Sequence, residues 1–486
     1  MDQNETLLFF YGGSKPSGPP FNLKLLESCP TKPDLFAYKR GCWEKNRVQM
    51  FATRSNTGIF FVSLRTLVYL VTFLGFSLPI LGQHRLEPDQ LPSETAPGAH
   101  GGYARVPPHI HPGSENTSSL ILAPATTLES VPTFSGGYFA HGFNASNAPQ
   151  FSWHYQMIGT EPEAAVTTNI SAPIIPVSLD LRNADGSPRF VNGHRLFSDA
   201  TRYVKEVLAS PLFMNAHYSS SQRATQFVDA VQRAEFYNRA ANRPWHTMLK
   251  PSVKTARVMV LRAGTYQFSL HKDGTCCAFV LVDFNTFYSK LLPTSSTDRK
   301  SPVGAAELAG DIHTRDISTF LFPNTFLFSD PNVNFFFVGF HTFDERPASV
   351  SNGFHKERFV LNFSSWVTPF IFFGDNFEDI TAISHEIAET VNDPFVAADG
   401  VHGITPWWMA PNGNCQDLLE TGDVVEDLPN ATFPMRMNGV IYHPQNEALL
   451  PWFERQKPSR AIHGAYSYPD ERLLLTLSPP ELANCQ

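Results

Sequence analysis

The chain has 486 residues, 42% of them hydrophobic and 13% aromatic, with a formal net charge of -8. That is ample apolar material for a large core, and the length allows two or three domains. An acidic balance without a basic stripe of interleaved aromatics argues against nucleic acid as a partner.

Residues 1–49 mix Gly, Pro and charge without a helical or strand period. From Thr66 to Leu81 the chain then runs through 16 uncharged, mostly apolar residues preceded by Arg54 and Arg65. This is short for a membrane span of ~20 residues and matches the core of a secretion signal. Such signals stand at a chain start. The expectation is therefore that translation begins at Met50, that residues 1–49 are an over-long extension, and that residues 50–82 are a signal peptide of a secreted, extracellular protein. The other reading is a single-pass membrane anchor, with the membrane a partner only if residues 66–81 are retained.

Residues 83–173 are rich in Pro, Gly, Ser, Thr and His and read as a disordered linker or pro-segment. Six Asn-x-Ser/Thr sequons, at Asn4, Asn116, Asn144, Asn169, Asn362 and Asn430, are glycan acceptors on a eukaryotic secretory route. Cys276, Cys277, Cys415 and Cys485 follow the targeting segment, and four exported cysteines allow two disulfides in three pairings. Adjacent Cys276 and Cys277 are expected to bond to other partners.

From residue 174 to 486 the pattern is that of one folded domain. Strands are expected near residues 174–181, 256–261, 265–270, 278–284, 319–322, 334–342 and 359–363, with helices at 201–208, 222–240 and 444–456. The 41 phenylalanines gather in runs such as Phe335-Phe336-Phe337-Val338-Gly339-Phe340, the composition of buried strands. The order of elements fits an α+β or mixed α/β class with helices packed on a sheet. There is no Gly-rich phosphate loop, and no Gly-x-Ser-x-Gly elbow supports serine hydrolysis.

The chemistry concentrates in Ser384-His385-Glu386-Ile387-Ala388-Glu389-Thr390-Val391-Asn392-Asp393-Pro394. A helix places His385 and Glu389, at i and i+4, one above the other, able to close on one metal ion. Glu386 lies beside them. This is the layout of the H-E-x-x-H zinc helix, whose Glu serves as general base on metal-bound water, with a carboxylate in place of the second histidine. Carboxylate oxygen is an acceptable zinc ligand, and the set also suits manganese or ferrous iron. Ile380, Ile383, Ile387 and Val391 make the apolar stripe, and Pro394 stops the helix. A solvated helix face with an ordinary His and two Glu would give the same five-residue pattern.

The segment H-E-I-A-E-T-V-N-D-P resembles a helix found in a broad group of largely uncharacterised secreted bacterial and fungal proteins, and more distantly in the plant phosphate-induced, exordium-like proteins. The resemblance continues through Gly413-Asn414-Cys415-Gln416-Asp417-Leu418-Leu419-Glu420, where related segments look like E-I-A-D-L-C-E or N-E-A-G-D-L-L-E, and through residues 437–453 and 464–467. Asp417 and Glu420 match, whereas Asn414 replaces an acid. The resemblance therefore implies Asp417 as third metal ligand. Glu420 and His443 compete for that place, and Asp393 comes last because it lies about 12 Å along the same helix from His385.

By analogy the motif implies a zincin-like domain, with a sheet edge above the active-site helix. The expected function is a secreted zinc-dependent, peptidase-like hydrolase acting on a peptide or protein substrate, with His385, Glu389 and Asp417 on the metal and Glu386 as catalytic base. The alternative is a non-catalytic extracellular or cell-wall binding protein with a structural metal site.

Overall fold

The computed structural model describes residues 86–94, 109–110, 127–139, 152–329, 336–371, 377–396, 408–413, 415–416 and 418–477. All belong to one of the chain's two units, Gln83–Gln486. The expected signal or anchor at 66–81 and the ligand candidate Asp417 lie outside the described residues. No helix among those described is long and apolar enough to cross a membrane.

The architecture is mixed α/β around a mainly parallel central sheet. An antiparallel hairpin, β1 (Thr133–Phe139) and β2 (Ser152–Ile158), precedes it. The sheet is built on β3 (Thr167–Arg182), a strand of 16 residues. After α1 (Phe227–Glu235) come β4 (His246–Val253) and β5 (Arg257–Arg262), which run parallel to the first and second halves of β3. A smaller sheet holds β6 (Tyr266–Leu270), β7 (Cys276–Asp283) and, further on, β9 (Thr325–Phe328). Between β7 and β9 lie α2 (Phe284–Leu291), α3 (Pro302–Ala309) and β8 (Ile317–Pro323), the last of which returns to the central sheet parallel to β3. β10 (Gly339–Arg346) and β11 (Lys356–Trp366) form an antiparallel pair, and β11 also lies parallel to β8. Then follows α4 (Thr381–Asn392).

Side chains alternate across this sheet, and both faces are covered. On β3, Ile170, Ala172 and Ile174 join one core, which includes α1 and α4. Ile175, Val177, Leu179 and Leu181 join a second, with β6, β7, α2 and α3. Strands covered on both faces read as near-continuous apolar runs, the pattern seen in the sequence. The same alternation on β10 sends Phe340 into the second core and Phe343 into the first. His341, which pairs in register with Asn362 of β11, shares the parity of Phe343. It therefore points at α4.

Several expectations need correction. The presumed linker at 83–173 is partly built into the fold: Val131, Phe134, Tyr155, Met157 and Ile158 are buried, and Asp89 pairs with Arg189. The hairpin finds apolar partners outside its own sequence, among them Phe236 and Trp245, so its own low apolar density does not decide its state. The helix expected at 444–456 shrinks to Leu450–Phe453, because Pro451 has no N–H and tolerates only a first-turn position. Upstream of it, Glu447–Ala448 pairs as strand with Ser467–Tyr468. Cys276 and Cys277 are bonded to each other, buried at the start of β7. The sequon at Asn362 lies fully buried within β11, while Asn169 and Asn430 are exposed.

Candidate metal centre

Helix α4 forms where the sequence places it. It runs from Thr381 to Asn392, and Asp393 closes it ahead of Pro394. Its start is tied down locally: Thr381 Oγ1 donates to the carbonyls of Glu378 and His443, and Ser384 Oγ accepts from Gln445 N. Ile380, Ile383, Ile387, Ala388 and Val391 enter the core shared with α1. The polar face is not solvated either. All twelve helix residues are buried, His385 at 8% exposure and Glu389 at 3%.

What covers that face is β10 on one side and residues 418–428 on the other. Leu419, Val424 and Val425 anchor the latter in a core with Trp452 and Phe453. Gln445 clamps the loop to the helix, its Nε2 donating to Gly422 O. Between these anchors Glu420, Asp423 and Glu426 turn toward α4.

His385 Nε2 lies 3.0 Å from Glu389 Oε2, 3.4 Å from Asp423 Oδ1 and 4.0 Å from Glu386 Oε1. Glu389 is held by its other oxygen, which accepts from the N–H groups of Gly422 and Asp423 at 2.9 and 3.1 Å. His341 Nδ1 lies 3.6 Å from Glu386, 3.7 Å from Glu389 and 3.7 Å from Glu420. Its Nε2 donates to the carbonyl of Asp393 at 3.0 Å, at the end of the same helix. Two imidazoles and five carboxylates, from a strand, a helix and a loop, therefore converge. Ligating atoms mutually within 4.8 Å occur in His385, Glu386 and Glu389, in His341, Glu389 and Glu420, and in His385, Asp423 and Glu426.

Two glycines make this approach possible. A Cβ on Gly422 would stand 2.5 Å from His385 Nδ1, and one on Gly339 would stand 2.5 Å from Glu386 Oε1. Real side chains do not approach so closely. Absence of a side chain at each position leaves the space that the imidazole and the carboxylate fill.

Crowding of acids in a buried site governs their protonation. Burial pushes the Glu386 carboxyl up to about 7, against the opposing pull of His341 and His385. Burial and the charge of Glu389 likewise raise Glu420 and Asp423, and burial with Asp423 raises Glu426. Glu389 runs the other way: despite burial, the neighbouring His385 and His341 hold it low, at about 2. Burial alone would lower both histidines, but Glu389 and Asp423 raise His385, and Glu386 with Glu389 raises His341. Carboxylates deprived of water, set around imidazole nitrogens, form a donor set suited to a divalent cation.

Of the residues expected from sequence, His385, Glu386 and Glu389 are brought together. Glu420, weighed as a third ligand, is at the site, whereas Asp417 is not among the described residues. His443 is elsewhere: its Nδ1 lies 2.7 Å from Asp379 Oδ2, before the first turn of α4, and its backbone N–H donates to Asp379 Oδ1 at 2.9 Å. Asp393 contributes its backbone carbonyl to His341. Sequence reasoning missed His341, Asp423 and Glu426. A lone histidine in a phenylalanine-rich strand carries no motif, and Asp423 and Glu426 show only as the acids that follow Glu420 at spacings of three. No family model, no curated protein and no solved structure matches this chain.

Proposed function

We propose that the chain is a zincin-like, metal-dependent hydrolase of peptidase type. His385 and Glu389 hold the ion, and the third ligand comes from the loop that carries Asp417, Glu420 and Asp423. Glu386, next to the ion but not among the closest contacts of His385, is the general base. Zinc fits one imidazole with carboxylate oxygens, as do manganese and ferrous iron. A bound ion would lower the pKa of its water toward ~7 and polarise a scissile carbonyl. Glu386, already raised by burial, suits a group that takes a proton near neutral pH and returns it to the leaving group. Secretion and a peptide or protein substrate belong to the same reading, on the strength of the apolar segment at 66–81 and the motif.

One observation carries the proposal. His385, Glu386 and Glu389 occupy one face of a buried helix with their ligating atoms within 4.8 Å of one another. Glu386→Gln in the full chain is expected to keep its metal and lose turnover of a peptide library by at least ~100-fold. Turnover equal to that of the unaltered protein would eliminate Glu386 as base.

A second reading has its own support. The same ligands are almost wholly buried, as in structural sites, which are closed by protein ligands and keep no open water position. An extracellular binding protein built on such a site would hold metal firmly and show no Glu386-dependent turnover.

A further inference from the structure

We infer that the centre holds two divalent ions bridged by Glu389. The second ion is bound by His341 Nδ1, Glu420 and the shared Glu389. This rests on the metal reading above and extends it.

A backbone carbonyl only accepts, so the 3.0 Å contact with Asp393 O places a proton on Nε2 and turns Nδ1, the lone-pair nitrogen of the neutral imidazole, into the site. A histidine held by its other ring nitrogen in this way is the arrangement of a metal ligand with its supporting partner. Nδ1 faces the carboxylates of Glu386, Glu389 and Glu420, at 3.6, 3.7 and 3.7 Å. Those separations are longer than an ideal hydrogen bond. They are near the spacing of about 3.4 Å expected between two ligands on a tetrahedral ion with bonds of about 2.1 Å. His341 itself is 5% exposed.

Two nitrogens on one ion at about 2.1 Å stand at most about 4.2 Å apart. Glu389 Oε2 reaches both His385 and His341, yet among the described residues no trio with ligating atoms within 4.8 Å contains both imidazoles. One ion cannot take both. Two ions sharing a carboxylate can, with His341, Glu389 and Glu420 on one side and His385 with Glu389 on the other. An ion pair about 3.5–4 Å apart would clamp the attacking and leaving oxygens of a hydrolytic displacement from both sides.

The test is Mn2+ binding to the full chain. Equilibrium dialysis is expected to give two ions per chain, with an electron paramagnetic resonance spectrum of a spin-coupled pair. His341→Ala is expected to reduce this to one ion with an uncoupled six-line spectrum. One ion in the unaltered protein, uncoupled at saturation, would overturn the second ion and leave the single-metal reading intact. No bound ion would overturn both. The coupled spectrum needs no variant, so a misfolded His341→Ala chain does not remove the test.

Discussion

Gly422 and Gly339 owe their importance to what stands beside them. Neither carries a functional group, but each is the wall against which a side chain of the buried cluster rests, His385 in one case and Glu386 in the other. A methyl group at 422 cannot be absorbed by a flexible side chain, since the imidazole it meets is pinned by the carboxylates around it. Gly422→Ala is therefore expected to weaken metal affinity by about 10–100-fold, the usual cost of displacing a ligand's support. Titration against a chromophoric chelator measures this, and an unchanged affinity would mean that His385 is not a ligand. Gly339→Ala is expected to push on Glu386 and so to reduce turnover more than metal binding.

At the scale of elements, α4 is a core helix that also carries chemistry. Ile387 is 1% exposed in the core shared with α1 and β3, so Ile387→Ala is expected to destabilise the fold by about 2–5 kcal/mol. Chemical denaturation reads the loss directly, and a loss below about 1 kcal/mol would mean that the helix is not packed as described. The helix, its end at Pro394 and the juxtaposition of His385 and Glu389 at i and i+4 were legible in the sequence because they are local. Burial of the polar face was not. It depends on Leu419, Val424 and Val425 anchoring a loop some thirty residues away, and periodicity within the helix says nothing of that. His341 was hidden for the same reason, being brought to α4 by the pairing of β10 with β11. The strand β4 was not expected from the sequence; it accommodates Pro251 because, among the described residues, it pairs with β3 alone and so has one free edge. By contrast α2 and α3 carry local signals: Asp283 caps Thr286 N, and Ser301 with Pro302 and Gly310 frames α3.

For the whole molecule the buried acids make stability depend on pH and on metal together. Glu386, Glu420, Asp423 and Glu426 have raised values in the folded chain, as do His341 and His385. Each binds its proton more tightly when folded, so its contribution is present below its unfolded value and is lost as pH rises through the folded one. For Glu386 that window runs from 4.5 to about 7. Only Glu389 opposes the trend, and its window lies between about 2 and 4.5, at lower pH. Metal-free protein is thus expected to lose thermal stability between pH 5 and 8. Metal-loaded protein is expected to gain over the same range, because an ion competes with these protons. Thermal melts with and without chelator check the sign of both slopes, and parallel curves would contradict the coupling.

All of this depends on a cation occupying the cluster of His341, His385, Glu386, Glu389, Glu420 and Asp423. Elemental analysis of the purified full chain after dialysis against zinc, beside a His385→Ala variant, is the most direct measurement. Tightly held metal of at least one ion per chain, reduced in the variant, is the expected result. A folded chain that retains no stoichiometric metal would contradict the account at its centre.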